Sequence, residues 1–172
     1  MAGSLQIRRI RPTDLEPFRQ LRLRSLSMDP MAFYDTYEKA SQGPISNWID
    51  WINRASSSND AISFLAEADG ARLVGHVGSS WTDGVTGIGA MWVEPEFRGR
   101  GLGARLLDTV LQWAMSTHPS SDVRLAVVPT QEVAVRLYKS RGFQETGKIS
   151  PLDHTPGAVY HEMLLRRKSP PG

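Results

Sequence analysis

The residues best placed to do chemistry lie together at 98–103, where Arg98, Gly99, Arg100, Gly101 and Gly103 separate a strand-like run from a helix-like one. Glycines let the backbone take positive φ and approach a ligand closely, and the first N–H groups of a helix have no partner within it. With the helix dipole and two guanidinium groups added, such a turn suits a phosphate or pyrophosphate.

Spacing separates three kinds of phosphate-binding turn. A Walker loop needs Gly, four residues, Gly, Lys and then Ser or Thr, and no lysine follows a glycine here at that spacing. A dinucleotide fingerprint is formally present in Gly99, Gly101 and Ala104. However, Glu94 to Arg98 intervene between the strand and Gly99, and the next strand, VRLAVV, ends at Pro129 without a carboxylate. The third pattern, Arg-x-x-Gly-x-Gly behind Val-x-Pro, is met by Arg98, Gly101 and Gly103 behind Val93 and Pro95. In this stretch, VEPEFRGRGLG, and again in AVRLYKSRGF, the chain resembles the GNAT superfamily of acyl-CoA N-acyltransferases. As a pattern of elements the resemblance covers nearly the whole chain, while 87–115 and 128–143 carry its specific motifs.

The resemblance implies that acetyl-CoA is the acetyl donor and coenzyme A a product. Backbone N–H groups of Arg98, Gly99, Arg100, Gly101, Leu102, Gly103 and Ala104 would hold the pyrophosphate, with the Arg100 side chain beside a phosphate and Arg98 acting mostly through its backbone. Met91, Trp92 and Val93 would pair with the pantetheine arm, and their free N–H groups would polarise the thioester where two central parallel strands splay. The family often carries Asn-x-x-Ala-x-x-Leu-Tyr-x-x-x-Gly-Phe. Gln131 stands here where asparagine is usual, which weakens the case for a polar contact from that position, and Tyr138 occupies the tyrosine position. A phenol with a reference pKa of about 10 is protonated at neutral pH and suits proton donation to the departing thiolate.

The reaction implied is direct N-acetylation of a primary amine, a small molecule or a protein or peptide amine. The absence of cysteine excludes an acyl-cysteine intermediate. No spacing selects a base among His76, His161, Glu162, Asp83, Asp35 and Glu38, and the histidines show no HExxH pairing that would hold a metal. Trp81 and Tyr37 are expected as walls of the acceptor entrance, with Asp83, Asp35 and Glu38 drawing in a cationic amine. A reading from another class stays open: a catalytically silent acyl-CoA-binding module would keep the turn and lose the chemistry. A nucleotide-binding protein would instead bind NAD without coenzyme A.

The elements that must position these residues follow from periodicity. Leu5 to Ile10 reads as a strand, then Thr13 and Glu16 as a capping box for a helix with Leu15, Phe18, Leu21 and Leu26. A second helix with Trp48, Ile49 and Ile52 follows Gly43-Pro44. Ile62 to Ala66 and Leu73 to Val77 form a hairpin around Asp69-Gly70, and SSWTDGVTG connects it to the strand at Gly87 to Val93. Leu102, Leu106, Val110 and Ala114 share one helix face. Val123 to Val128 reads as a strand covered on both faces, Thr130 as a cap for the helix carrying Tyr138, and Phe143 to Ile149 and Val159 to Leu165 as the last strands. The fold class is α/β. With the resemblance, this implies a single domain over 1–166 with a mixed, mostly antiparallel sheet of about seven strands, helices on both faces and a central splayed parallel pair, and a disordered tail is expected at 167–172.

Composition bounds the partners. With 20 Lys and Arg against 18 Asp and Glu there is no general case for nucleic acid, and no apolar run approaches a membrane span. MAGSLQIRRIRP lacks the apolar core of a signal peptide. The expectation is a cytoplasmic protein, monomer or homodimer, with no membrane or nucleic-acid partner.

Overall fold

The computed structural model describes residues 5–167. Among these, seven strands form one sheet and five α-helices pack on its faces. In chain order they are β1 (Gln6–Arg9), α1 (Leu15–Met28), α2 (Tyr37–Gln42), α3 (Ile45–Ser57), β2 (Ala61–Ala68), β3 (Arg72–Thr82) and β4 (Val85–Val93). There follow α4 (Leu102–Thr117), β5 (Asp122–Val127), α5 (Glu132–Ser140), β6 (Gln144–Pro151) and β7 (Val159–Leu165). The strand order is β1-β2-β3-β4-β5-β7-β6, antiparallel throughout except between β4 and β5. This is the mixed single-domain α/β sheet with a central parallel pair that the sequence implied. The expected tail lies, beyond Arg167, outside the described residues. Among those described, no helix is long and apolar enough to cross a membrane.

The two faces of the sheet are covered unequally. On one, Leu102, Leu106, Leu107 and Val110 of α4 pack with Ile62, Val77, Ile88, Leu125 and Val127 across the central strands. Burying each such side chain contributes about 2 kcal/mol. On the other, Phe18 and Leu21 of α1 and Trp48 and Ile52 of α3 cover Leu65, Leu73 and Trp92, and that core includes no residue of β5, β6 or β7. Val123, Leu125 and Val127 of β5 are therefore buried while Arg124 and Ala126 point into an open trough. The expectation that β5 is covered on both faces is corrected, because the helices on the second face reach only as far as β4.

Local signals held in part. α4 ends at His118, whose N–H donates to Ala114 O (2.9 Å) before Pro119 stops the helix. The capping box at Thr13 and Glu16 is not formed; Asp14 Oδ2 accepts from the Arg11 N–H (2.7 Å) instead, because a 3-10 turn at Pro12–Asp14 precedes α1. Thr130 does not cap α5, whose N-cap is Gln131. SSWTDGVTG connects β3 to β4 as expected, but both strands run into it. It forms the tip of the β3–β4 hairpin, with Thr82 opposite Val85 and both Asp83 (φ 51°) and Gly84 (φ 80°) in the left-handed region. Such a two-residue turn matches the twist of the paired strands.

The register of β3 on β4 carries one irregularity. Between the pairs Gly78↔Gly89 and His76↔Trp92, β3 contributes Val77 alone and β4 contributes Ala90 and Met91. Ala90 takes φ 53°, so β4 bulges there. The extra residue switches parity: Ile88 faces the α4 core before the bulge, and Met91 and Val93 face it afterwards.

His76 lies opposite Trp92, fully buried against the edge of Phe18 (5.5 Å), with neither ring nitrogen hydrogen-bonded. Burial and the nearby Arg22 charge hold its pKa well below the usual histidine value. Below about pH 6.5 the unfolded chain takes up a proton that folded His76 refuses, whereas above it neither state does. Stability should therefore fall by up to about 1.4 kcal/mol per pH unit below pH 6.5. Denaturant titrations across pH 5–7 should show a shallower fall in His76→Leu than in the wild type.

Candidate active site

β4 leaves the sheet through a braced exit. The Glu94 N–H donates to Val74 O (2.8 Å), and Glu94 Oε1 lies 2.9 Å from Arg72 Nη2 and 3.6 Å from Arg24 Nε. Asp29, just past the end of α1, accepts with Oδ2 from both Trp92 Nε1 (2.6 Å) and Arg98 Nη2 (2.6 Å). Arg98 Nε donates to Val93 O (2.8 Å). The Arg98 side chain is thus a brace between the turn, β4 and α1, and its own N–H donates to Pro95 O (3.1 Å), so the expected backbone contact from Arg98 to a phosphate is corrected. Nothing in the sequence ties Asp29 to Trp92 or Arg98, more than sixty residues away.

The turn itself is shaped for an anion. Gly99 and Gly101 have φ of 71° and 75°, and a Cβ at either would meet nothing within 4 Å. Open space lies before them, and the backbone angle alone requires glycine. Gly101 O accepts the first α4 bond from the Arg105 N–H (3.0 Å), and no side chain caps the helix. Among the described residues the N–H groups of Leu102, Gly103 and Ala104 have no protein partner. A Cβ on Gly103 would meet Leu137 Cδ2 at 3.9 Å and Val93 Cγ2 at 4.0 Å, ordinary contacts, so packing alone does not require glycine at this position. Arg100 is exposed, 5.8 Å over the Phe97 ring.

β4 and β5 pair only at Val85↔Asp122, Thr86↔Val123 and Gly87↔Arg124. Beyond Gly87 they part, leaving the β5-facing backbone edge of β4 unpaired, Met91, Trp92 and Val93 included. Tyr138 lies on the α4 side of this opening, buried in the core shared with Leu125 and Val127 and edge-on to Phe143 (6.0 Å). Its hydroxyl has no hydrogen-bond partner in the protein, yet it is not sealed from solvent. Burial pushes its pKa up to about 12, so it is protonated at neutral pH. Arg141 clamps α5 to α4 through Asp108 (2.7 and 2.9 Å). Gln131 is half-buried at the start of α5, its N–H on Val128 O (3.0 Å).

On the opposite face the trough beside α1 and α3 forms a cavity of about 1060 Å³. Gly87, Gly89 and Ala90 of β4 and Ala126 of β5 line it, so it opens onto the gap between the two strands. Asp35 and Glu162 of the sequence candidates reach it, and Asp50 and Arg22 join them. Asp83 and Glu38 do not. His76 is buried outside it, and His161 lies on the other side of β7, 3.8 Å from Glu145. Trp81 is no wall of this cavity: it stays paired in the sheet opposite Thr86, but its side chain is on the α4 side, where it stacks on His118 (5.0 Å) just past the end of α4. Tyr37 is exposed at the start of α2, and its place is taken by Tyr34, which lies 4.0 Å from the Tyr160 ring. Arg22 was detectable from the sequence, since it shares the buried stripe Phe18, Leu21, Ser25, Leu26 of α1.

Comparison with known proteins agrees with this geometry. The profile of the acetyltransferase (GNAT) family matches residues 21–143. Thialysine N-epsilon-acetyltransferase of Mus musculus is 32% identical over 84 residues, 46% of this chain and 49% of that protein, so the match spans about half of the relative's length. A GNAT-family acetyltransferase from Streptococcus pneumoniae superposes with a TM-score of 0.81 at 20% identity, covering 96% of this chain and 100% of the other. Spermidine N-acetyltransferase from Vibrio cholerae, solved in complex with CoA and spermine, superposes with a TM-score of 0.73 at 18% identity, covering 94% of each chain.

Two outcomes follow for the turn. Gly101→Val forces a β-branched residue to φ 75° and should abolish the thermal stabilisation given by millimolar coenzyme A. Asp29→Ala leaves the buried Trp92 indole without an acceptor, and should lower stability by about 1–2 kcal/mol in urea titrations while weakening coenzyme A binding.

Proposed function

This chain belongs to the acetyltransferase (GNAT) family, and on that premise we propose that it transfers an acetyl group from acetyl-CoA directly to a primary amine. The observation that carries the reading is the break in the β4–β5 ladder after Gly87, placed between an uncapped helix start and an open cavity. Acetyl-CoA supplies the activated acetyl group as a thioester. The turn from Gly99 to Ala104 would hold its pyrophosphate through backbone N–H groups, and open space before Gly99 and Gly101 fits that use. The free edge of β4 from Met91 to Val93 would take the pantetheine arm, its N–H groups stabilising charge that develops on the carbonyl oxygen.

The two faces of the sheet divide the remaining work. The amine approaches from the cavity, where Glu162 and Asp35 are the carboxylates available to accept its proton, directly or through water. Glu162 lies opposite Ala126 at the strand gap and accepts from Thr146 Oγ1 (3.0 Å). Tyr138, on the α4 face, donates a proton to the departing thiolate. Its hydroxyl, which makes no hydrogen bond among the described residues, is free to take that role, and burial keeps it protonated beforehand.

Incubation with acetyl-CoA and a panel of primary amines should release free thiol in an amine-dependent way. Release with no amine above background would leave a silent binding module. With an accepted amine, Tyr138→Phe should lower kcat by roughly 10²- to 10⁴-fold while coenzyme A still raises the melting temperature as in the wild type. Wild-type kcat where chemistry limits the rate would reduce Tyr138 to packing.

A further inference from the structure

The cavity contains a charge that the protein leaves unpaired. Arg22, in the middle of α1, is 5% exposed and lines the cavity wall. Its guanidinium lies 4.3 Å over the Phe33 ring and 5.9 Å from that of Trp51. Nε and Nη1 are sealed from solvent without a hydrogen-bond partner, and no ion pair reaches the side chain. Asp35 acts on it only through space, and its Oδ1 already accepts from the Thr36 N–H (3.0 Å). The other cations on the wall are exposed: Arg124 and Lys148 each lie 3.8 Å from Glu162 Oε2, and Arg54 is open to solvent.

A second orphan lies beside the first. Tyr160 of β7 is 2% exposed, lines the same cavity, and has a hydroxyl that is buried with no partner. Tyr34 covers its ring at 4.0 Å. A buried guanidinium without a counter-charge is strongly unfavourable, and a buried hydroxyl donor without an acceptor adds to the cost. Both groups are donors, and one anionic acceptor that enters from the cavity and displaces the exposed Tyr34 ring covering Tyr160 would satisfy both.

Resting on the acyl-transfer reading above, we infer that the acceptor amine also carries a carboxylate, held by Arg22 and the Tyr160 hydroxyl while the amine reaches the β4 edge at Gly89 and Ala90. A singly charged planar anion suits a single guanidinium and a single hydroxyl. A doubly charged phosphate would face Asp35, Asp50 and Glu162 around the same cavity. Those acids suit the ammonium end of a zwitterion. The acceptor class is therefore amino acids and related amino carboxylates.

The test compares amines matched in skeleton, with acetyl-CoA saturating: lysine against cadaverine, and amino acids against their methyl esters. The wild type should favour the carboxylate member in kcat/KM by about ten- to a hundredfold, mostly through KM. Arg22→Met should bring the pairs near parity, keep the thermal shift with coenzyme A, and leave the melting temperature of the free protein unchanged or raised, since an unpaired charge is removed. Tyr160→Phe should raise KM several-fold for carboxylates alone. If Arg22→Met does not fold, the wild-type pairs and Tyr160→Phe decide the matter. Equal turnover of acids and esters by the wild type overturns the inference alone, and so does loss of the coenzyme A shift in a folded Arg22→Met, which would assign Arg22 to the cofactor. Absence of that shift in the wild type overturns the acyl-transfer reading and this inference with it.

Discussion

Beyond Gly87 and Arg124 the backbones of β4 and β5 stop exchanging hydrogen bonds, and the proposed chemistry depends on that parting. Its local cause is the extra residue at Ala90. A bulge bends its strand and increases twist, so β4 keeps its pairing with β3 on one side while swinging away from β5 on the other. The parity switch matters as much as the bend. It turns Met91 and Val93 into the α4 core and sends the Trp92 side chain to the opposite face, where Asp29 waits for its indole. A strand without the bulge would put those three side chains the wrong way round.

An unpaired strand edge exposes polar backbone, so the surrounding structure must hold it open. Two braces do so from the α1 side. Asp29 ties Trp92 and Arg98 to the end of α1, and Glu94 joins Arg24 of α1 to Arg72 of β3. Much of this bracing is solvent-exposed, and the exposed ion pairs are worth little individually. Their use is geometric: they fix the path of the chain from β4 into the glycine turn, so the uncapped N–H groups of α4 are preorganised before a ligand arrives.

What could be read from the sequence was what local chemistry determines. The glycine turn needs positive φ at Gly99 and Gly101, and α4 needs one apolar face, so both were visible as residue types at fixed spacing. The sheet with its central parallel pair came with the family pattern. The acceptor side was legible only in part, because it is assembled from α1, the segment before α2, α3 and β7, and long-range packing decides which side chains meet. Trp81 had the residue type of a cavity wall, but its place in β3 opposite Thr86 puts its side chain on the α4 face, against His118. Ala90 carried no signal, since alanine is not a residue that advertises a left-handed backbone. Arg22 did carry one, a cation on a buried helical stripe.

The distribution of unsatisfied groups gives the two faces different characters. The buried side-chain polar atoms lacking a hydrogen-bond partner, among the described residues, belong to Arg19, Arg22 and Arg24 of α1, His76 of β3, Glu94 beyond β4 and Tyr160 of β7. None comes from α4 or α5. The α4 face is an apolar core of the kind that maximises stability, and the one reactive group proposed there, Tyr138, needs only to be held protonated at the gap. On the α1 face Glu94 and Arg24 are paired with each other and His76 is buried away from the cavity, whereas Arg22 and Tyr160 leave unpartnered polar atoms in the wall of the cavity that opens onto the same gap. Native proteins rarely tolerate such groups except where a ligand or the chemistry makes use of them. The position of the Arg22 and Tyr160 atoms thus points to the α1 face as the side on which an acceptor is chosen, apart from the cofactor site proposed at the glycine turn and α4.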